Sequence, residues 1–93
     1  MMQRILALLL LLLLTTPAFS AERLRMSTTT STENSGLLKV LLPPFEQQND
    51  CKVDVISVGT GKALKLGESG DVDVVLVHAR KLEDKFVADG FGV

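Results

Sequence analysis

Three strand-like runs alternate with helical segments along this chain, and that alternation leaves few folds open. Leu24-Arg25-Met26-Ser27 alternates apolar and polar residues. Lys52-Val53-Asp54-Val55-Ile56-Ser57-Val58 alternates as well and is rich in β-branched residues. Asp71-Val72-Asp73-Val74-Val75-Leu76-Val77 ends in a continuous apolar run. Alternation marks a half-buried strand, whereas unbroken apolarity marks a strand covered on both faces of a parallel sheet. A helical segment follows each run. The first begins near Ser31 or Thr32 and carries Leu37, Leu38, Val40, Leu41 and Leu42 toward a core. The second starts at Lys62 and ends at Gly67, and the third covers Ala79 to Ala88 with Leu82, Phe86 and Val87 on one face. The order βαβαβα predicts an α/β fold with a parallel sheet and crossover helices.

Local punctuation sets the expected boundaries. Pro43-Pro44 should kink or end the first helix, with Phe45 to Asn49 continuing beyond and Asn49-Asp50 as the stop. Gly59-Thr60-Gly61 breaks the second strand, Glu68-Ser69-Gly70 reads as a turn, and Asp89-Gly90 closes the last helix. Lys81, Glu83, Asp84 and Lys85 read as a solvated helix face.

The N-terminus has a different character. Arg4 precedes an apolar run from Ile5 to Leu14, and small residues stand at Ala18 and Ser20. That order reads as a secretory signal over residues 1–20, and the run is shorter than the ~20 apolar residues a membrane span needs. Residues 21–93 then form the exported part. Removing Arg4 leaves nine basic against eleven acidic side chains, a balance that disfavours a nucleic-acid surface. Cys51 is the only cysteine and has turn-like neighbours. It can form neither an internal disulfide nor a metal cluster, and reads as a bystander thiol, with an intermolecular disulfide the alternative.

Six consecutive hydroxyl residues, Ser27 to Thr32, sit where the first strand gives way to a helix. One N-cap needs a single Ser or Thr. Helix starts present free N–H groups and a partial positive charge, so a hydroxyl-rich loop there can cradle an anion, although Ser/Thr-rich loops are also simply solvated. Gly59-Thr60-Gly61 repeats the pattern after the second strand, on the sheet edge where open parallel sheets hold ligands. Gly59-Thr60-Gly61-Lys62 is not a nucleotide-binding P-loop: the spacing is absent, and Ala63 stands where Ser or Thr is required. His78 and Arg80 follow the third strand. His78 is a ligand contact, a base or an exposed loop residue; Arg80 reaches an anion or pairs with Glu83 or Asp84. An enzyme built on this cradle, such as a phosphatase, would need a nucleophile with a base or a metal cluster, which one His and one Cys do not supply.

The segments Thr28-Thr29-Thr30-Ser31-Thr32-Glu33-Asn34-Ser35-Gly36-Leu37-Leu38, Val58-Gly59-Thr60-Gly61-Lys62-Ala63-Leu64 and Asp71 to Arg80 resemble the tungstate-binding periplasmic proteins of ABC importers. Those belong to the type II periplasmic binding proteins. The resemblance covers essentially all of residues 21–93. It implies a periplasmic solute-binding subunit that captures tungstate, or molybdate, sulfate or phosphate, between two lobes and delivers it to an inner-membrane permease, with no cofactor and no catalysis. Carried over by residue, it implies Thr28, Thr29, Thr30 and Ser31 as anion donors, Thr29 and Ser31 foremost, then Thr60, with Gly61, His78 and Arg80 as further candidates. Family members carry a later segment of the type Ser-Arg-x-Asp-x-Ser-Gly-Thr, which these 93 residues lack. The expectation is therefore a partial first lobe that alone binds weakly or not at all. A non-binding degenerate fragment and an independent interaction module are the rivals.

Overall fold

The computed structural model describes residues 22–93. The signal segment expected over residues 1–20 lies outside them. Strand β1 (Glu22–Thr29) is central and pairs in parallel with β2 (Cys51–Val58) along its whole length, from Glu22 opposite Cys51 to Thr29 opposite Val58. On its other side Met26, Ser27 and Thr28 face Val74, Val75 and Leu76 of β3 (Val74–Leu76). The three-stranded order is β2-β1-β3. Helix α1 (Thr30–Asn34) leaves β1 directly, α2 (Leu37–Asn49) leads to β2, α3 (Thr60–Glu68) joins β2 to β3, and α4 (Arg80–Ala88) follows β3. The expected parallel α/β order is the observed one.

β1 runs two residues further at each end than the alternation predicts, because β2 pairs with it along its whole length. Its second half, Met26 to Thr29, is buried. Buried hydroxyls need partners, and each has one. Ser27 Oγ donates to the Ala63 carbonyl of α3 (2.9 Å), and Thr28 Oγ1 donates to the Leu76 carbonyl of β3 (2.7 Å). A third of the hydroxyl run, Ser27 and Thr28, is thus woven into the sheet.

The first helix departs from expectation twice. Gly36 adopts φ +81°, a left-handed conformation that glycine takes without steric cost, and it splits the segment into α1 and α2. Pro43 and Pro44 neither end nor divide α2. The carbonyls they leave without helical partners belong to Lys39 and Val40, both exposed, so water can serve them. Beyond the prolines, Glu46 accepts the Val53 N–H of β2 (2.8 Å) and Asn49 Nδ2 donates to the Phe45 carbonyl, which holds the second half in place. Asp50, at φ 46°, caps the helix. The stretch Leu37 to Leu42 is not core as expected. Only Leu38 is buried, while Val40 is 71% exposed and Leu37 and Leu41 are exposed too. Among the described residues α2 packs against β2 and α1, which cover a narrow stripe of it.

Cys51 opens β2 rather than sitting in a turn, and it is buried. Helix α3 does not stop at Gly67 but continues to Glu68, and its own Ala63 and Leu64 are buried. A Cβ at Gly67 would lie 2.7 Å from Val75 Cγ2 and 2.9 Å from Phe86 Cζ, so this glycine lets α3 approach β3 and α4. β3 is shorter than the strand read over Asp71 to Val77. Asp73 donates its N–H to the Arg25 carbonyl (2.8 Å), while its carboxylate accepts the Arg25 N–H (2.9 Å). A side chain thus replaces the strand carbonyl at that position. Val74 and Leu76 are exposed, against the expectation of burial on both faces, because β3 is an outer strand of this sheet with one face uncovered among the described residues. Leu82 and Val87 of α4 are exposed as well, whereas Phe86 packs on Phe91 with ring centroids 5.7 Å apart.

An exposed ion pair ties β1 to β2. Arg23 donates to both Asp54 carboxylate oxygens at 2.9 and 2.5 Å. That hydrogen bonding holds the Asp54 carboxyl below the usual carboxylate value. The folded value is depressed, so the pair stabilises the fold at neutral pH and is lost as pH falls through that depressed value. An NMR titration should give Asp54 a midpoint below that of an unfolded peptide, and Arg23→Ala should return it upward. An unchanged midpoint would show that the pair does not persist in solution.

Candidate binding site at the carboxyl edge of the sheet

The paired registers bring the ends of all three strands to one edge, with Thr29 opposite Val58 and Thr28 opposite Leu76. A helix starts within four residues of each strand end: α1 at Thr30, α3 at Thr60 and α4 at Arg80. Each start leaves backbone N–H groups without helical acceptors and adds partial positive charge.

The three starts differ in what already satisfies them. At α1, Thr29 is the cap, and its Oγ1 accepts the Thr32 N–H at 3.2 Å. The same oxygen lies 2.7 Å from Thr32 Oγ1 and 3.1 Å from Ser31 Oγ. Glu33, in the first turn of α1, has its carboxylate bound by the Ser57 hydroxyl of β2. At α4, the Glu83 carboxylate accepts the Ala79 N–H (2.8 Å) and so occupies that start with negative charge. At α3, the cap is Gly59, which has no side chain to offer, and the first turn has no acidic residue. The first helical bond there runs from the Ala63 N–H to the Gly59 carbonyl, at 2.9 Å. The amides of Thr60, Gly61 and Lys62 precede it, and a Cβ at Gly59 or Gly61 would meet nothing within 4 Å. The α3 start is therefore the open one.

Each candidate has a definite place. Thr28 is fully buried, with its proton on the Leu76 carbonyl. Thr29 is 4% exposed and sits at the hub of the hydroxyl triad. Thr30 and Ser31 are exposed, Thr60 is half-buried and Gly61 is exposed. His78 is exposed in the loop after β3. Arg80 is exposed, and its Nε lies 3.1 and 3.3 Å from the Asp84 carboxylate oxygens, one helical turn on. Of its two sequence readings, the structure displays the ion pair. Sequence reasoning missed the Glu33–Ser57 bond and the anchoring of α3 by Ser27; the even spacing of Ser57 along an alternating strand was the one available hint.

The edge thus offers uncharged donors, hydroxyls and amides, around an open helix start. Such a set can hold an anion without a basic side chain. Among the described residues no group of three or more His, Cys, Asp or Glu is placed to hold a metal. The groove of about 350 Å³ beside β3, lined by Val74, Val77, Phe86 and Phe91 among others, is a separate feature.

A family model described as the PBP superfamily domain matches residues 15–93. The crystal structure of the tungstate ABC transporter from Geobacter sulfurreducens is 80% identical in sequence with a TM-score of 0.74, over 77% of this chain and 31% of that one. The tungstate binding protein TupA from Desulfovibrio alaskensis is 53% identical with a TM-score of 0.75, over 77% of this chain and 29% of that one. The tungstate-binding protein TupA of Peptoclostridium acidaminophilum is 48% identical over 68 residues, 73% of this chain and 24% of its own length. The chain spans less than a third of the length of these relatives.

Proposed function

The chain belongs to the PBP superfamily, and from that premise we propose that it forms one wall of the site where the solute-binding component of an ABC importer captures tungstate. The observation that carries this reading is the open start of α3 on the same sheet edge as the exposed hydroxyls of Thr30 and Ser31. Relatives named for tungstate binding or transport support the choice of anion. Thr30, Ser31 and Thr60 donate through their hydroxyls, and Thr60, Gly61 and Lys62 through their amides. Uncharged donors suit a dianion, because each bond to a charged acceptor is stronger than a neutral pair and the helix start adds to the attraction. The task is capture, with no bond made or broken and no cofactor. The protein acts in the periplasm and hands the anion to a permease in the inner membrane.

Tested by themselves, residues 21–93 bind the anion weakly, on the order of millimolar. Sodium tungstate at ten times its dissociation constant should add about 1.4 kcal/mol of stability. That corresponds to a rise of roughly 6–11 °C in Tm for a domain of this size. Molybdate, sulfate and phosphate run in parallel rank the oxyanions. A cooperative transition that no oxyanion moves would overturn the reading and favour an interaction module. Hydrolysis of a phosphate ester would favour an enzyme.

A further inference from the structure

We propose that the outer edge of β2 is a self-pairing surface held shut by the Glu46 carboxylate, and that a second copy of this chain adds to it as an antiparallel strand once Glu46 is removed. β2 is an outer strand, so one of its edges meets no other strand among the described residues. Backbone groups alternate in direction along a strand, which fixes the residues that face that edge. Arg25 turns its N–H and carbonyl toward Asp73, on the β3 side. Met26 therefore faces β2, where it stands opposite Val55 and bonds to the neighbours Asp54 and Ile56. Val53, Val55 and Ser57 point the other way, to the outer edge.

An open strand edge is a template for another chain, and proteins close such edges. Here the closure is one side chain. Val53 donates its N–H to a Glu46 carboxylate oxygen at 2.8 Å. That oxygen, carried on α2, stands in for the carbonyl of an added strand. Further along, the Ser57 hydroxyl is bound to Glu33 of α1. The residues of β2 select a copy of β2 as the occupant. A two-fold axis at Val53 sets Val53 opposite Val53 and Cys51 opposite Val55. It also sets Lys52 opposite Asp54 of the copy, and Asp54 opposite Lys52, in the closer non-hydrogen-bonded pairs. Opposite charges there stabilise the pairing. Lys52 is exposed, and the Asp54 side chain is 42% exposed. An axis at Val55 instead sets Asp54 opposite Ile56 and meets the Glu33–Ser57 contact. The favoured axis is thus the position that Glu46 covers.

The test compares residues 21–93 with Glu46→Ala and Glu46→Gln by sedimentation velocity and NMR hydrogen exchange. In the unaltered protein the Val53 amide should exchange about tenfold more slowly than the Val55 amide on the same edge, the effect of one bond to a charged acceptor. Equal exchange overturns the proposal. The unaltered protein and Glu46→Gln, whose side-chain carbonyl still accepts the N–H, should sediment as monomers. Glu46→Ala should sediment as a dimer at the same concentration. A monomeric Glu46→Ala or a dimeric unaltered protein overturns the proposal. Lys52→Glu, added to Glu46→Ala, sets like charges opposite each other and should weaken the dimer about tenfold. Val53→Pro, added instead, removes the central N–H at an edge position where proline is tolerated, and should restore the monomer. A dimer that withstands both changes forms through another surface and overturns the proposal. If Glu46→Ala does not fold, Glu46→Asp takes its place, because its carboxylate is one methylene too short to reach the Val53 N–H.

Discussion

Gly67→Ala should destabilise the chain by about 1–3 kcal/mol, the opposite of what the substitution does in an ordinary helix. Gly to Ala within a helix normally gains ~0.5–1 kcal/mol, because the unfolded chain loses freedom and the helix gains a good former. At Gly67 the new methyl would stand 2.7 Å from Val75 Cγ2 and 2.9 Å from Phe86 Cζ. Neither neighbour yields easily: Val75 is β-branched and stiff at χ1, and the Phe86 ring is held against Phe91. Relief needs α3 to lift from β3 and α4. A loss of 2 kcal/mol lowers Tm by roughly 8–16 °C in a domain this small. Gly61→Ala is the internal control. It lies in the same helix with nothing within 4 Å of the new carbon, so its Tm should hold or rise. Equal melting of the two variants would show that α3 does not approach β3 as closely as described.

The fold was legible where local patterns decide it. β-Branched alternation located β2, and the unbroken apolar run located β3. The places where the reading slipped are those where a distant group decides. Nothing near Asp73 says that its carboxylate will take the Arg25 N–H and shorten β3, since the partner lies 48 residues away. Pro43-Pro44 reads as a break by every local rule, yet α2 passes through because Glu46 and Asn49 hold its far half. Gly67 reads as a helix stop, whereas its role is set by side chains of β3 and α4.

The hydroxyl run shows the same division within one motif. Its placement at a sheet edge followed from strand and helix order. Which hydroxyls face inward depended on the pairing of β1 on both sides, and that pairing assigns Ser27 and Thr28 to the sheet and Thr29 to the cap. The excess of hydroxyls over what a cap requires therefore has two sources: buried bonds that hold α3 and β3 to β1, and exposed donors at Thr30 and Ser31. Composition alone cannot separate them, because serine and threonine serve both purposes equally well.

The sharpest test of the edge is Gly61→Asp, which should raise the stability of the chain while abolishing tungstate binding. An aspartate in the first turn of α3 meets the partial positive charge of the helix start and gains about 0.3–1 kcal/mol. Space is available, since nothing lies within 4 Å of a carbon built there. That same carboxylate would occupy the ground proposed for the anion. Two like charges ~5 Å apart repel by roughly 3 kcal/mol at the effective dielectric of a protein surface. That energy amounts to a loss of more than about a hundredfold in affinity. Stability and binding should therefore move in opposite directions, which no general unfolding effect can produce. Gly61→Asn has nearly the same size without the charge and should lose far less affinity. Tungstate binding that survives Gly61→Asp would place the anion away from the α3 start and leave the exposed hydroxyls after β1 to hold it by other means.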